Sequence, residues 1–266
     1  MGTVLRREDN MEKFTKIRGL VLKLAVSLAV LTPIFMAVSA LGVKFGLWDW
    51  RFGFGTLVRG FGPKLIMLTL VVSALALILA LAAKPRKTAL VALLALAVPV
   101  AAMGIGKNVG KKAGSLPFIH DITTDTQDPP VFSQTIIAQR GTDSNSLEYI
   151  GTLDPRSKKP VSEAQHEAYP DIQTIKMTLA PDAAFDKAEA ALKSLGLKIA
   201  TTDKENGILE ATASSFWFGF KDDVVVRIRA SEGGSRVDIR SVSRVGGSDI
   251  GANAARVRAI TDKLTK

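Results

Sequence analysis

Residues 19–43 read GLVLKLAVSLAVLTPIFMAVSALGV, residues 65–83 read LIMLTLVVSALALILALAA, and residues 88–106 read TALVALLALAVPVAAMGIG. Each run reaches the roughly 20 residues that a helix needs to cross about 30 Å of hydrocarbon. None contains Asp, Glu or His, and Lys23 lies close enough to the start of its run to reach the headgroups. Pro33 and Pro99 are compatible with such helices, because neighbouring helices can satisfy the carbonyls they free. Val38-Ser39-Ala40 has the small residues of a signal-peptidase site. The run is nevertheless longer than a signal-peptide core and two more follow it, so the expected part is a retained three-span anchor. Arg6-Arg7 makes a poor twin-arginine signal, since Glu8, Asp9 and Asn10 follow where an apolar core would begin.

Charge supports this partition. Up to residue 106 there are 13 Lys and Arg against 4 Asp and Glu, and beyond it 22 against 21, so the net +10 of the chain is concentrated beside the apolar runs. Cations favour that headgroup zone. The remainder lacks the basic excess that binding to phosphate backbones demands, so nucleic acid is not an expected partner. Spans two and three are joined only by Lys84-Pro85-Arg86-Lys87, a cationic tip expected in the cytoplasm. Residues 1–18 carry Arg6, Arg7, Lys13, Lys16 and Arg18 and belong on the same side. Three spans then place everything after residue 106 across the membrane, in the periplasm if the host is a bacterium with an inner membrane. Phe45, Trp48, Trp50, Phe52, Phe54 and Phe61, interleaved with Arg51 and Arg59, form an aromatic belt between spans one and two. Membrane lipids are thus an expected partner.

The chain has no cysteine, which excludes disulfides, thiolate catalysis and cysteine-type zinc sites. Residues 107–170 are rich in Gly, Pro, Asp, Thr and Ser, with one apolar stretch, 133–139, that fits a strand. Ser157-Lys158-Lys159-Pro160 reads as an exposed turn.

From Asp171 the pattern becomes regular. Residues 172–179 alternate as a strand. Pro181 then opens a helix with Phe185, Ala188, Leu192 and Leu195 on one face and Gly196 as its stop. Strands follow at 197–202, 208–214, 224–230 and 235–242, with Asn206-Gly207 and Gly233-Gly234 as turn signals. Ser248 can cap a last helix in which Ile250, Ala254, Val257, Ile260 and Leu264 repeat at helical spacing. The expected fold is multi-pass membrane helices plus an α+β domain over 171–266, a helix-grip-like antiparallel sheet of order β-α-β-β-β-β-α with helices on one face.

Pro117-Phe118-Ile119-His120-Asp121-Ile122-Thr123-Thr124-Asp125, followed by Pro129-Pro130-Val131-Phe132, resembles the opening of a bacterial domain-of-unknown-function family, number fourteen ninety-nine. Its closing pattern is similar to Asp222-Asp223-Val224-Val225-Val226-Arg227, Asp238-Ile239-Arg240-Ser241-Val242-Ser243-Arg244-Val245-Gly246, and then Asp249, Gly251, Asn253 and Arg256. The resemblance spans 115–265. It implies domain limits and a frequent N-terminal membrane region, and it implies no chemistry.

Strand parity puts Arg227 and Arg229 opposite to Val224, Val226 and Ile228, and puts Arg236, Asp238, Arg240 and Arg244 opposite to Val237 and Ile239. Asp238 then faces Arg227 or Arg229 across the hairpin. On a face open to solvent, Arg227, Arg240 and Arg244 would hold an anionic ligand or an envelope protein, with Asp238, Asp249, Asn253 and Arg256 nearby. Replacing Arg240 and Arg244 with Ala should then abolish function and spare the fold. The competing expectation is a periplasmic hydrolase or lyase with His120, Asp121 and Asp125 as acid and base. Asp128 joins them in the same segment, but the spacing fits no standard calcium or zinc loop, and no metal or cofactor is expected. His166 stands alone in a polar stretch and is expected to be exposed. No P-loop, nucleophile elbow, paired-histidine motif or Rossmann fingerprint occurs.

Overall fold

The computed structural model describes the backbone of residues 2–266 and the side chains from Asp9 onward, so the Arg6-Arg7 pair lies outside the described side chains. The chain divides into two compact units. One runs up to Gly110 and includes Trp217–Gly219, and the other comprises Lys111–Phe216 and Phe220–Lys266.

The first unit holds three helices long and apolar enough to cross a membrane. They are α1 (Gly2–Lys44), α2 (Gly62–Ala82) and α3 (Thr88–Ser115). Their mutual contacts use small residues: Ala25 and Ala29 of α1, Ala76 and Ala80 of α2, and Ala92 and Ala95 of α3 are buried together. Without a hydrophobic drive between helices in lipid, close backbone approach and polar pairs do the holding. The Thr32 and Thr69 hydroxyls supply such a pair at 2.8 Å: one donates to the other, which in turn donates to the carbonyl one turn back on its own helix. Residues 51–61, which carry most of the aromatic belt between the first two spans, form a π-helix (Arg51–Phe61) that leads into α2. The Trp48 indole donates to the Ser39 carbonyl at 3.1 Å. It fits because Gly42 has no side chain: a Cβ there would lie 2.0 Å from the ring.

The second unit is a six-stranded antiparallel sheet. In chain order it contains β1 (Asp121–Thr123), α4 (Gln134–Gln139), α5 (Val161–Ala168), β2 (Ile175–Met177), α6 (Pro181–Ser194), β3 (Lys198–Asp203), β4 (Ile208–Ser214), β5 (Lys221–Ser231), β6 (Gly234–Ser243) and α7 (Ala252–Thr265). From β2 onward the order is the expected β-α-β-β-β-β-α. The sheet runs β1-β6-β5-β4-β3, with β2 pairing to the other end of β6. One face carries Leu209, Ala211, Val224, Val226, Ile228, Val237 and Ile239, packed on Phe185, Ala188 and Leu192 of α6 and Val257, Ile260 and Leu264 of α7.

The structure differs from the sequence-based expectation in four places. Residues 133–139 form the short helix α4 and no strand, because Ile136 must pack down onto Val225 and Val242 of the sheet. The segment 107–170 also contains β1 and α5, both unforeseen. Ser248 does not cap α7; the Asp249 carboxylate accepts from the backbone N–H groups of Gly251 and Asn253 at 2.9 and 2.6 Å. Finally, the charged face of the sheet is not solvated: Phe132, Ile136, Val225 and Val242 form a second buried cluster over it.

Candidate functional site

On that second face, alternation places Glu210 on β4, Asp223, Val225 and Arg227 on β5, and Asp238, Arg240 and Val242 on β6. Apolar neighbours alone could not bury such a set, since an isolated charge moved from water neutralises or finds a partner. The partners come from residues 121–145, which cross over the face. Arg240, 2% exposed, grips Asp121 of β1 with two hydrogen bonds of 3.0 and 2.7 Å and donates to the carbonyls of Pro130 and Leu147. Asp223, fully buried, accepts two contacts from Arg244 at 2.9 and 2.7 Å and one from Arg140 at 2.7 Å. Glu210 accepts from both the backbone N–H and the hydroxyl of Ser133 just ahead of α4.

Further along the hairpin, Arg227 lies directly opposite Asp238 and donates to it at 3.1 Å. The same guanidinium reaches Asp125 and the backbone carbonyl and carboxylate of Asp128, and Arg236 pairs with both Asp125 and Asp238. Asp238 is completed by the hydroxyls of Thr124 and Thr174. On the helical face, Arg256 of α7 pairs with Asp222 at 2.6 Å, and the fully buried Asn253 donates to the His120 carbonyl at 2.9 Å. The charged residues thus form a seam of buried ion pairs that holds the 121–145 segment to the sheet.

Beside this seam lies a cavity of about 150 Å³ lined by Phe118, His120, Tyr149, Leu153, Pro155 and Val161 among others. Burial holds the His120 imidazole below the ordinary 6.5, against the opposing pull of the Asp121 and Asp249 carboxylates and a hydrogen bond to the Gly247 backbone, with Arg140 reinforcing the depression. Tyr149 forms the inner wall. Burial raises its phenol well above the usual range, and the hydroxyl donates to Gln165 at 3.0 Å. Gly247 must lack a side chain, because a Cβ there would stand 2.5 Å from the Phe118 ring. The chemistry on offer is a small, mainly apolar recess with the His120 imidazole and the Asp121 and Glu148 side chains in its lining.

The family model described as a protein of unknown function, DUF1499, matches residues 121–264, more than half of the chain. The chain belongs to the DUF1499 family. No curated protein matches it.

Within the DUF1499 domain, the structure distributes the residues singled out from the sequence over four places. Arg227 and Asp238 meet Asp125 in one cluster, Arg240 meets Asp121, and Arg244 meets Asp223. Asp249, Asn253 and Arg256 gather at the start of α7 on the other face. The expected fold-sparing Arg240 and Arg244 variant is therefore corrected: both side chains are buried ion-pair partners, not an exposed array. His120 and Asp121 both line the cavity, and both Asp121 oxygens are held by Arg240. His166 is exposed, as expected. Among the described residues no group of three His, Asp or Glu side chains is placed to hold a metal ion. Sequence reasoning passed over Tyr149, Gln165 and Arg140. A lone Tyr in a polar stretch gives no periodic signal, and Arg140 reaches Asp223 across 83 residues of chain.

The His120 environment carries a pH prediction for the DUF1499 domain. A histidine with a lowered folded pKa stabilises the fold fully above its unfolded value, and that contribution is lost as pH falls through about 6.5 towards the folded value. Between pH 7.5 and 5.5 the thermal midpoint of the full chain in detergent should fall, and the fall should be smaller in His120→Gln. Equal falls in both proteins would show that the imidazole is not the group responsible.

Proposed function

We propose that this protein is a membrane-anchored cell-envelope module whose DUF1499 domain, on the periplasmic side of a bacterial inner membrane, binds a small ligand or a side chain of an envelope partner in the recess beside His120. The observation that carries the reading is the recess itself. It is open and mainly apolar, and the Phe118–Asp121 segment that opens the family-like motif supplies one wall. A cavity on the order of 150 Å³ suits a benzene-sized group. A few polar groups beside apolar walls are the usual composition of a small-molecule site.

An anionic ligand on Arg227, Arg240 and Arg244 has less support, because those guanidinium groups already donate to Asp238, Asp121 and Asp223. The hydrolase or lyase reading meets a similar difficulty. Asp121 and Asp125, its intended carboxylates, are both engaged by arginines. The anchor acts as a tether, since the three apolar runs carry none of the carboxylates or histidines that mark ion or proton pathways.

The test uses the full chain purified from its own membranes and analysed by native mass spectrometry beside Leu153→Trp. Leu153 is half exposed at the recess, so the larger ring narrows the mouth without opening the core. A bound small molecule or peptide on the parent chain that is lost in the variant is the expected result. The same bound species on both proteins, or none on either, would contradict the reading.

A further inference from the structure

The recess beside His120 offers side-chain acceptors in excess of donors. Its two hydroxyls are already spent: Thr152 donates to the Glu148 carbonyl at 2.7 Å, and Tyr149 donates to Gln165 at 3.0 Å. What remains is acceptor capacity. The Glu148 carboxylate stands exposed in the lining and makes no ion pair among the described residues. Burial keeps the His120 imidazole neutral at ordinary pH, and a neutral imidazole keeps one ring nitrogen as an acceptor.

Charge points the same way. The lining includes Asp121 and Glu148 and, among the described residues, no Lys or Arg. Asp121 is matched by Arg240, and nearby Arg140 is matched by Asp223. Arg156 lies over the Phe118 ring at 4.7 Å and donates to the Ala113 carbonyl at 2.7 Å. The neighbouring Asp154 carboxylate, which accepts from the backbone N–H groups of Phe118 and Arg156, offsets its charge. Glu148 is left in the lining without a counterion.

A ligand that closes over Glu148 removes water from a carboxylate, which costs free energy unless the ligand itself supplies a donor. An anion would add repulsion, and a neutral apolar body would leave the carboxylate unanswered. We infer that the recess takes a small organic cation, with a ring-sized apolar body in the cavity of about 150 Å³ and a primary ammonium that donates to Glu148. This assignment rests on the recess being the binding site and names the chemistry of its occupant. The same chemistry comes from a free amine or from a lysine side chain of an envelope partner, and the cavity fits either.

The test uses three probes of one shape and different charge, namely benzylamine, benzyl alcohol and benzoate, and the tripeptide acetyl-Gly-Lys-Gly-amide. Half-saturation of each is read by saturation-transfer nuclear magnetic resonance on the full chain in detergent, with empty micelles subtracted. The proteins are the parent chain, Glu148→Gln and Leu153→Trp. Glu148→Gln keeps the shape of the side chain and, at an exposed position, spares the fold. Benzylamine should bind the parent about fivefold more tightly than benzyl alcohol, with benzoate weakest, as befits one charge-assisted pair at a partly exposed site. Glu148→Gln should remove that advantage and leave benzyl alcohol unchanged, while Leu153→Trp should weaken both. Tighter binding of the tripeptide than of benzylamine, lost in Glu148→Gln, would support the same chemistry and make a lysine side chain its source. Benzoate binding as tightly as benzylamine, or benzylamine binding equally to the parent and Glu148→Gln, would overturn the assignment. A Leu153→Trp-sensitive benzyl alcohol signal would in that case leave the recess standing as a site. No binding of any probe to the parent would overturn both.

Discussion

Arg240→Ala should unfold the domain at a midpoint about 10 °C or more below the parent chain, followed by near-UV circular dichroism of the full chain in detergent. Asp121 is 6% exposed and receives both of its close hydrogen bonds from Arg240. Removing one member of a buried pair strands the other charge and typically costs about 3–5 kcal/mol. The carbonyls of Pro130 and Leu147 lose a donor in the same step, and Phe132 and Tyr149 lose the guanidinium near their rings. Each unsatisfied buried acceptor adds about 1–3 kcal/mol unless water reaches it. For a domain of this size, each 1 kcal/mol moves the midpoint by roughly 2–4 °C. Hydrogen exchange should accelerate first in residues 121–147, the segment the seam holds down. The double variant Asp121→Leu with Arg240→Met should recover part of the loss, because two apolar side chains leave no stranded charge. A single variant within 1 °C of the parent, by the same optical signal, would show that the pair is not buried as described.

The seam explains what the motif residues do before any ligand is considered. Asp223 between Arg244 and Arg140, and Asp125 between Arg227 and Arg236, are carboxylates each shared by two cations. Such sharing offsets desolvation only when the remaining donors are filled, and here backbone carbonyls of the crossing segment fill most of them. Arg227 Nε is an exception, buried without a partner. The segment and the sheet therefore specify each other.

Much of the sheet was legible because its signals are local. Alternation in β5 and β6, Pro181 at the start of α6 and the turn glycines gave the order from β2 to α7. Gly207 shows how strict one of those signals is. It has a φ of +65°, and a Cβ would lie 2.1 Å from the Ile228 carbonyl oxygen. The cover over the charged face was not legible from parity. Parity says which residues share a face, and Asp121 and Arg240 stand 119 residues apart. The unbroken Val224-Val225-Val226 run held a clue, since a strand covered on both faces loses strict alternation. The six residues of α4 are too few for a helical period to differ from a strand. β1 is only three residues long, in a segment of turn formers.

The most direct test of the account is where the domain stands. A reporter active only outside the cytoplasm is fused after Lys266, and in a second protein it is inserted between Lys84 and Lys87. Three crossings require opposite sides for the two ends of the chain, and the cationic tip between α2 and α3 favours the cytoplasm for its own side. The raw distribution of Lys and Arg is nearly even, 8 on the N-terminal side against 7 on the other, so orientation rests on the density of that four-residue tip. The account predicts full reporter activity at Lys266 and background activity in the hairpin. The reverse pattern would place the DUF1499 domain in the cytoplasm and contradict the envelope assignment, and equal activity at both positions would contradict three crossings.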